Sequence, residues 1–289
     1  MKQFYAVLGL FLILSTSSAF ALPKAPVDDI NFRPAHNKDI SVTTDYDFEG
    51  IVKLSNCSGS LVLLEGQNDN AKALVLTNGH CVPRTFFGGL LNPGEVVVNK
   101  TVHREMKIFK DLKTLYPITA VKIIYATMTN TDMAIYELDE TYAEIYARTK
   151  VKPLTLVSKR PVVGTPIQII SGYWERGYSC GVDGFVYSLL EAGYTWFDSI
   201  RYTEGCDTIG GTSGSPIIAE GTKDVIAVNN TSNESGYECS MNNPCEVNEA
   251  GDVYIEKGLR YAQQTYNFYT CLTADFSLDL DLPHCELPQ

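Results

Sequence analysis

Positive charge is scarce in this sequence. The 289 residues include 23 Lys and Arg against 34 Asp and Glu, which gives a net charge of −11 at pH 7, and the basic residues form no cluster. An acidic chain repels the phosphate backbone, so we expect no nucleic-acid partner. The negative charge mainly favours solubility.

Long apolar runs are also missing, except for one near the start. Lys2 precedes the apolar run Phe4–Leu14, and Ala19-Phe20-Ala21 follows as a small-residue cleavage site. The run is too short for a membrane span, which needs about 20 residues. The adjoining cleavage site makes a signal anchor the weaker alternative, and residues 1–21 are predicted to be a signal peptide. We therefore expect a secreted protein, extracellular or periplasmic, without a stable membrane anchor.

Metal-binding patterns are absent, whereas cysteines are plentiful. There is no C-x-x-C pair and the 4 histidines are scattered, so we expect no metal and no cofactor. The 8 cysteines all follow the signal peptide, and an even number in an exported chain predicts disulfides. Spacing alone leaves about 105 pairings open. The cysteines are Cys57, Cys81, Cys180, Cys206, Cys239, Cys245, Cys271 and Cys285.

Long helical patterns are rare, and strand patterns recur along the chain. Short runs rich in Val, Ile and Tyr are separated by Gly, Pro, Asn and Asp, which predicts an all-β sandwich or barrel. The predicted strands are Ile51–Leu54, Leu61–Leu64, Ala73–Thr77, Glu95–Val98, Val121–Ala126, Met133–Leu138, Ile167–Ser171, Phe185–Ser188, Ser199–Tyr202, Pro216–Ile218 and Val225–Val228.

Three segments differ from this pattern. Residues 140–153 are polar and are predicted to be a partly helical linker. The tail over 274–289 alternates apolar and polar residues, which fits either an edge strand or a solvated acidic tail. An amphipathic helix is predicted within 251–271 from apolar residues three or four positions apart, at Ile255, Leu259, Ala262 and Tyr266.

A glycine-rich turn, Gly-Gly-Thr-Ser-Gly-Ser-Pro over 210–216, holds Ser213 just before an apolar strand. A serine hydroxyl becomes an effective nucleophile when a base removes its proton and donors stabilise the resulting oxyanion. Glycines let the backbone turn sharply, so the N–H groups of Gly211 and Ser213 can point to one place. Taken alone, the motif also fits a flexible Gly/Ser loop.

Two upstream motifs supply a base and a carboxylate. His80 lies in LTNGHC and Asp132 in NTDMAI. A buried Asp132 needs a donor, which the N–H of His80 provides, and the carboxylate in return fixes the tautomer of the imidazole. The chain order His, Asp, Ser is that of the chymotrypsin type of triad. A disulfide between Cys57 and Cys81 would limit the movement of the histidine's turn.

Together these motifs resemble the trypsin/chymotrypsin clan of serine proteases, and within it the secreted bacterial, glutamyl-endopeptidase-like branch. The resemblance covers roughly residues 40–262 and rests on CSGSLV, LTNGHC, TDMAIYEL and DTIGGTSGSP in this order. It implies an all-β fold of two antiparallel six-stranded β-barrels, with the active site in the cleft between them. We expect a C-terminal helix and a short tail to follow.

The resemblance also implies roles for the site residues. His80 acts as general base and then acid, Asp132 orients it, Ser213 is the nucleophile, and Gly211 with Ser213 forms the oxyanion hole. The expected organisation is a signal peptide over 1–21, a propeptide or N-terminal strap over 22–39, a first barrel over 40–139, a linker over 140–153, a second barrel over 154–262, and a C-terminal extension over 263–289.

The sequence departs from vertebrate-type trypsins in one respect. Thr212 stands before the serine where those enzymes have an Asp that pairs with the new N-terminus, and no Arg/Lys-Ile-Val-Gly-Gly motif occurs near residue 40. Zymogen switching of the trypsin kind is therefore not encoded. The bacterial branch, which commonly lacks that switch, fits better.

The resemblance also implies that two residues affect which substrate residue precedes the cleaved bond. Asp207, six residues before Ser213, occupies the position at the pocket base in trypsin-like members, which predicts cleavage after Arg or Lys. Asn229 stands where glutamyl endopeptidases have a histidine, so cleavage after Glu is disfavoured because the substrate carboxylate would be unpaired.

The sequence thus predicts a secreted serine endopeptidase that acts through an acyl-enzyme on proteins or peptides, as a monomer. The alternatives are a protease-like binding protein that has lost catalysis and an esterase with the same triad. For the remaining cysteines we expect the pairs Cys180–Cys206, Cys239–Cys245 and Cys271–Cys285.

Overall fold

The computed structural model describes residues 46–83 and 89–289. The predicted signal peptide and the propeptide or strap over 22–39 lie outside the described residues. The described strands are β1 (Ile51–Lys53), β2 (Ser58–Leu64), β3 (Lys72–Thr77), β4 (Val96–Asp111), β5 (Thr114–Thr127), β6 (Met133–Thr141), β7 (Leu154–Leu156), β8 (Pro166–Ser171), β9 (Arg176–Glu191), β10 (Tyr194–Tyr202), β11 (Pro216–Ala219), β12 (Asp224–Ser232), β13 (Cys245–Val247), β14 (Val253–Tyr254) and β15 (Arg260–Gln264).

Two sets of six antiparallel strands each close into a barrel. In the first barrel the neighbours run β1, β4, β5, β6, β3, β2 and back to β1. In the second they run β12, β11, β8, β9, β10, β15 and back to β12. β7 pairs in parallel with both β2 and β12, so it links the two barrels. The predicted all-β fold of two six-stranded barrels is confirmed, while the exact domain boundaries stay a prediction.

Apolar side chains from paired strands fill each barrel. Leu61 and Val75 face each other across β2 and β3 with no exposed surface. Ile169 and Ile217 do the same across β8 and β11 in the second barrel. Removing each such side chain from water contributes about 1.5–3 kcal/mol. The strands predicted from apolar runs all lie within or overlap these elements. The runs are visible in the sequence because the barrel interiors require apolar side chains.

The largest difference among the predicted strands is the hairpin of β4 and β5. Only Glu95–Val98 and Val121–Ala126 are predicted there, whereas the strands span Val96–Asp111 and Thr114–Thr127 and pair along their length. Many side chains in the first half of β4 are exposed, so no apolar alternation marks it in the sequence. Cross-strand hydrogen bonds, which do not depend on the side chains, extend the hairpin.

The predicted linker contains one α-helix, α1 (Tyr142–Thr149). The Thr141 side chain accepts from the backbone of Glu144, whose side chain in turn accepts from the backbone of Thr141, so the helix begins with a capping box. It ends at Lys150, which has a left-handed conformation. Neither α1 nor any other helix within residues 46–83 and 89–289 is long and apolar enough to cross a membrane.

The amphipathic helix predicted within 251–271 is wrong. This segment contains the strands β14 and β15, and the helix that follows them is only a short 3₁₀ helix, Tyr266–Cys271. β15 pairs with β10 on one side and with β12 on the other, which closes the second barrel. Pairing on both edges buries Tyr261 and Ala262 alike. Tertiary context therefore overrides the helical spacing of the apolar residues.

The tail adopts neither of the two expected forms. It is an irregular segment that packs on the core, with Leu287 only 4% exposed and the Tyr125 hydroxyl donating to Pro288 O at 3.0 Å. Phe276, Leu278 and Leu280 pack against the same buried cluster. The apolar alternation thus reflects contact with the body of the protein.

All eight cysteines are paired in four disulfides. These are the four pairs that we expect from the sequence. They are Cys57–Cys81, Cys180–Cys206, Cys239–Cys245 and Cys271–Cys285.

The last of these bonds is expected to stabilise the tail measurably. It closes a loop of 14 residues in sequence separation, and a loop of that length contributes about 3 kcal/mol by restricting the unfolded chain. The double variant Cys271→Ser, Cys285→Ser should therefore unfold at lower urea concentration. An unchanged midpoint with an unchanged slope would show that packing alone holds the tail.

Candidate active site

Ser213 lies in the loop between β10 and β11, directly against the first barrel. The next residue, Gly214, has a φ of +81°, and a Cβ there would lie 2.2 Å from both Ser58 O and Thr77 Oγ1. Ser58 N donates to Ser213 O at 2.8 Å. Only glycine fits this close approach, so the sequence places a serine of the second barrel on β2 and β3 of the first.

His80 lies on a 3₁₀ helix, Gly79–Cys81, that follows β3. A Cβ on Gly79 would lie 1.9 Å from Thr127 O, so glycine allows this helix to pack on β5. Asp132 is fully buried: its Oδ1 accepts from His80 N at 3.0 Å, and its Oδ2 lies 2.7 Å from His80 Nδ1. Because the carboxylate can only accept, Nδ1 carries the proton and Nε2 is left as the acceptor.

A second carboxylate affects the electrostatics of His80. Burial lowers the pKa of His80, but the charge and hydrogen bond of Asp132, with the charge of Glu191, outweigh burial and raise the pKa. Glu191 ends β9 and is 4% exposed. Burial raises the pKa of Glu191, while hydrogen bonds from Thr231 Oγ1 at 2.6 Å and Asn242 N at 2.7 Å oppose that rise. The surroundings therefore hold the pKa of His80 above that of a free imidazole.

Two backbone donors are free beside Ser213. Gly211 has a φ of +91°, and in the described part of the chain neither its N–H nor that of Ser213 donates to a protein acceptor. The Ser213 hydroxyl donates to Asn230 O at 3.2 Å. An oxyanion formed next to Ser213 would require free donors of this kind.

His80, Asp132 and Ser213 line one cleft. Two further carboxylates, Glu191 and Glu234, line it as well, and within residues 46–83 and 89–289 no Lys or Arg does. The other lining residues come from both barrels and are Leu90, Met128, Tyr194, Trp196, Thr208, Ile209, Gly210, Asn229, Asn230, Thr231, Ser232, Met241 and Asn242.

Asp207 does not lie in this cleft, contrary to the prediction from its six-residue offset. Its side chain is 80% exposed, and its Oδ1 lies 3.1 Å from Arg260 Nη2. The Arg260 guanidinium also donates to Thr208 O at 3.3 Å. A carboxylate that meets a cation near solvent avoids the cost of burial. Sequence offset could not reveal this partner, because Arg260 lies on β15, far away along the chain.

Asn229 does line the cleft, but its side chain has a partner. Its Oδ1 accepts from the Tyr202 hydroxyl at 3.0 Å. The neighbouring Asn230 has a buried amide with no hydrogen-bond partner among the described residues. No local motif marks Asn230, Glu191 or Glu234, and their place in the cleft depends on strand pairing, so the sequence alone does not predict them.

One cluster has the spacing of a metal site without its chemistry. A nitrogen of His80 and the sulfurs of Cys57 and Cys81 lie within 4.8 Å of one another. Both sulfurs belong to the Cys57–Cys81 disulfide, so they are not the thiolates that bind zinc.

A family model described as trypsin-like peptidase domain matches residues 57–228, more than half of the chain. The chain belongs to this family and is a serine-type endopeptidase, a hydrolase. No curated protein matches it.

Solved structures include similar proteins at low identity. The MamO protease domain from Magnetospirillum magneticum is 11% identical, covers 78% of this chain and 97% of its own, and has a TM-score of 0.47. Nocardiopsis protease is 13% identical, with 76% and 93% covered and a TM-score of 0.43. A Glu endopeptidase is 16% identical, with 78% and 89% covered and a TM-score of 0.43.

The contribution of Glu191 can be tested by the variant Glu191→Gln. A general base must be neutral, so kcat/KM rises as pH increases through the pKa of His80. Because the Glu191 charge helps to raise that pKa, its removal should move the acid limb of the profile to lower pH. The measurement is kcat/KM against pH on a peptide substrate.

Glu249→Gln is the matched control, because Glu249 is exposed and does not line the cleft. It removes the same charge from the protein and should leave the acid limb in place. An acid limb that moved equally in both variants would show that only net charge matters.

Proposed function

We propose that this protein is an exported endopeptidase that cleaves peptide bonds through an acyl-enzyme at Ser213. The observation that carries the proposal is the cleft itself. It brings the hydrogen-bonded His80–Asp132 pair and the Ser213 loop together, beside two free backbone N–H groups. A base, a nucleophile and oxyanion donors in one place are the parts that acyl transfer needs.

The reaction begins when the Ser213 hydroxyl turns from Asn230 O to His80 Nε2. His80 takes the proton while Oγ attacks the scissile carbonyl carbon, and the carbonyl oxygen becomes an oxyanion facing the N–H groups of Gly211 and Ser213. Asp132 stabilises the imidazolium that forms. Collapse of the tetrahedral intermediate breaks the C–N bond, and His80 gives its proton to the leaving amine. Water then hydrolyses the ester by the same steps, which restores the serine.

Export to an oxidising compartment is supported by two observations. All eight cysteines are oxidised in four disulfides, which persist outside the reducing cytosol. The first residues of the sequence have the pattern of a signal peptide. We place the protein in the extracellular or periplasmic space, with proteins or peptides as its substrates.

A preference for Arg or Lys side chains is supported by the charge of the cleft, although Asp207 does not line it. The carboxylates of Glu191 and Glu234 line the cleft, and among the described lining residues His80 alone can be positive. Carboxylates facing a cleft attract a cationic substrate and repel an acidic one. Arg260 does not line the cleft and is paired with Asp207.

Ser213→Ala should lower turnover by about 10⁴-fold or more, because no acyl-enzyme can form. The assay is peptide hydrolysis, with circular dichroism to show that the fold is kept. Ser215→Ala is the matched control: its Oγ is buried without a hydrogen-bond partner among the described residues, so it should remain active. Retention of most activity by Ser213→Ala would refute the proposed mechanism.

Glu234→Gln tests the charge of the cleft. Glu234 is exposed, so we expect a loss of about 3-fold in kcat/KM for a Lys substrate, shrinking at high salt, and little change for its norleucine analogue. Glu249→Gln should leave kcat/KM unchanged for both the Lys substrate and the norleucine analogue. Cleavage of a peptide library mainly after Glu or large apolar residues would overturn the preference and leave the protease assignment intact.

A further inference from the structure

The peptide unit between Gly210 and Gly211 includes one of the two N–H groups proposed to form the oxyanion hole. It carries the Gly211 N–H at one end and the Gly210 carbonyl at the other. Glycines on both sides give this unit unusual freedom to rotate as a whole. A rotated peptide would present a carbonyl oxygen where the N–H is needed, and an oxygen would repel the oxyanion.

One side chain restrains this peptide unit. Trp174 Nε1 donates to Gly210 O at 2.7 Å. A trans peptide is planar, with its C=O and N–H pointing in opposite directions. The hydrogen bond that holds Gly210 O towards the indole therefore holds the Gly211 N–H away from it. The contact is close, because a Cβ on Gly211 would lie 2.9 Å from Trp174 Nε1.

Trp174 itself is well anchored, although the residue remains 45% exposed. It lies in the turn between β8 and β9, and its backbone N–H donates to Ser171 Oγ at 3.2 Å. The Tyr173 ring meets the indole edge-on, with the ring centroids 5.0 Å apart. Tyr173 N also donates to Ser58 Oγ at 3.1 Å. Ser58 belongs to β2, so the first barrel supports the turn.

A second bond restrains the next carbonyl along the loop. The Ser58 hydroxyl donates to Gly211 O at 3.3 Å and lies 3.0 Å from Ser171 Oγ. The two carbonyls flanking Gly211 are thus held by Trp174 on one side and by Ser58 on the other. These contacts leave the N–H of Gly211 without a protein acceptor in the described part of the chain.

We propose that Trp174 is a positioning residue for the oxyanion hole, holding the Gly210–Gly211 peptide so that the Gly211 N–H points to the reacting carbonyl. The inference rests on the proposed acyl-enzyme mechanism. Trp174 acts through the backbone of the loop, so its loss weakens stabilisation of the transition state and leaves ground-state binding of the peptide largely intact.

The hydrogen bond is tested by replacing Trp174 with 3-benzothienylalanine, which keeps the bicyclic ring but has sulfur in place of N–H. Removal of an oxyanion donor costs about 10²–10³-fold in kcat, and loss of its support should cost less, about 10-fold. KM should change little. Trp174→Phe, which also loses ring contacts, should show the same or a larger loss of kcat.

A peptide aldehyde provides a second readout. Its adduct with Ser213 places an oxyanion in the hole, so its affinity should fall by about the same factor as kcat. A non-covalent peptide product should bind as before. Tyr187→Phe is the control variant, because Tyr187 is another half-exposed aromatic residue that does not line the cleft, and it should leave kcat and aldehyde affinity unchanged.

The outcomes separate this inference from the proposed function. If the sulfur analogue keeps full kcat and aldehyde affinity while Ser213→Ala is inactive, Trp174 does not position the hole and the acyl-enzyme mechanism stands. If thermal stability falls while kcat is unchanged, its role is structural only and the inference is wrong. If Ser213→Ala stays active, the proposed function itself fails, whatever Trp174 does.

Discussion

The contact between the Ser213 loop and the first barrel is the constraint on which the site depends. Gly214 lies so close to Ser58 O and Thr77 Oγ1 that no side chain fits, and Ser58 N holds Ser213 O. The proposed nucleophile belongs to one barrel and the proposed base to the other. Without this contact their distance would depend on how two separate barrels pack. A misplacement of 1 Å can cost about 100-fold in rate, so a backbone-to-backbone contact suits the task.

The electrostatics around His80 depend on two buried carboxylates, Asp132 and Glu191. Asp132 is fully buried, and hydrogen bonds from His80 compensate for the lost hydration. Glu191 belongs to the second barrel and is also buried, and its carboxylate accepts hydrogen bonds from Thr231 and Asn242. Both carboxylates raise the pKa of His80 against the effect of its own burial. Glu191 also lines the cleft together with the exposed Glu234, so this one carboxylate contributes both to the proposed basicity of His80 and to the proposed substrate preference.

Local patterns predicted the parts of the fold that local chemistry controls. Apolar β-branched runs marked the paired strands, and glycines marked the sharp turns around His80 and Ser213. The helix predicted from the spacing around Leu259 is wrong because β15 forms hydrogen bonds with strands on both of its edges. A short window of sequence does not reveal such pairing with distant strands. The predicted position of Asp207 at the base of the pocket differs from the structure for a related reason, since its partner Arg260 lies on that same strand.

The sequence by itself determined the fold class, the export signal pattern and the three residues proposed for catalysis, because each lies in a short motif whose chemistry is local. Only the tertiary structure decided which carboxylates face the cleft and what holds the oxyanion loop. Glu191, Glu234 and Trp174 lie in no motif, and their contacts depend on barrel closure and on strand register. Such contacts join residues distant along the chain, so their effect appears only once the chain has folded.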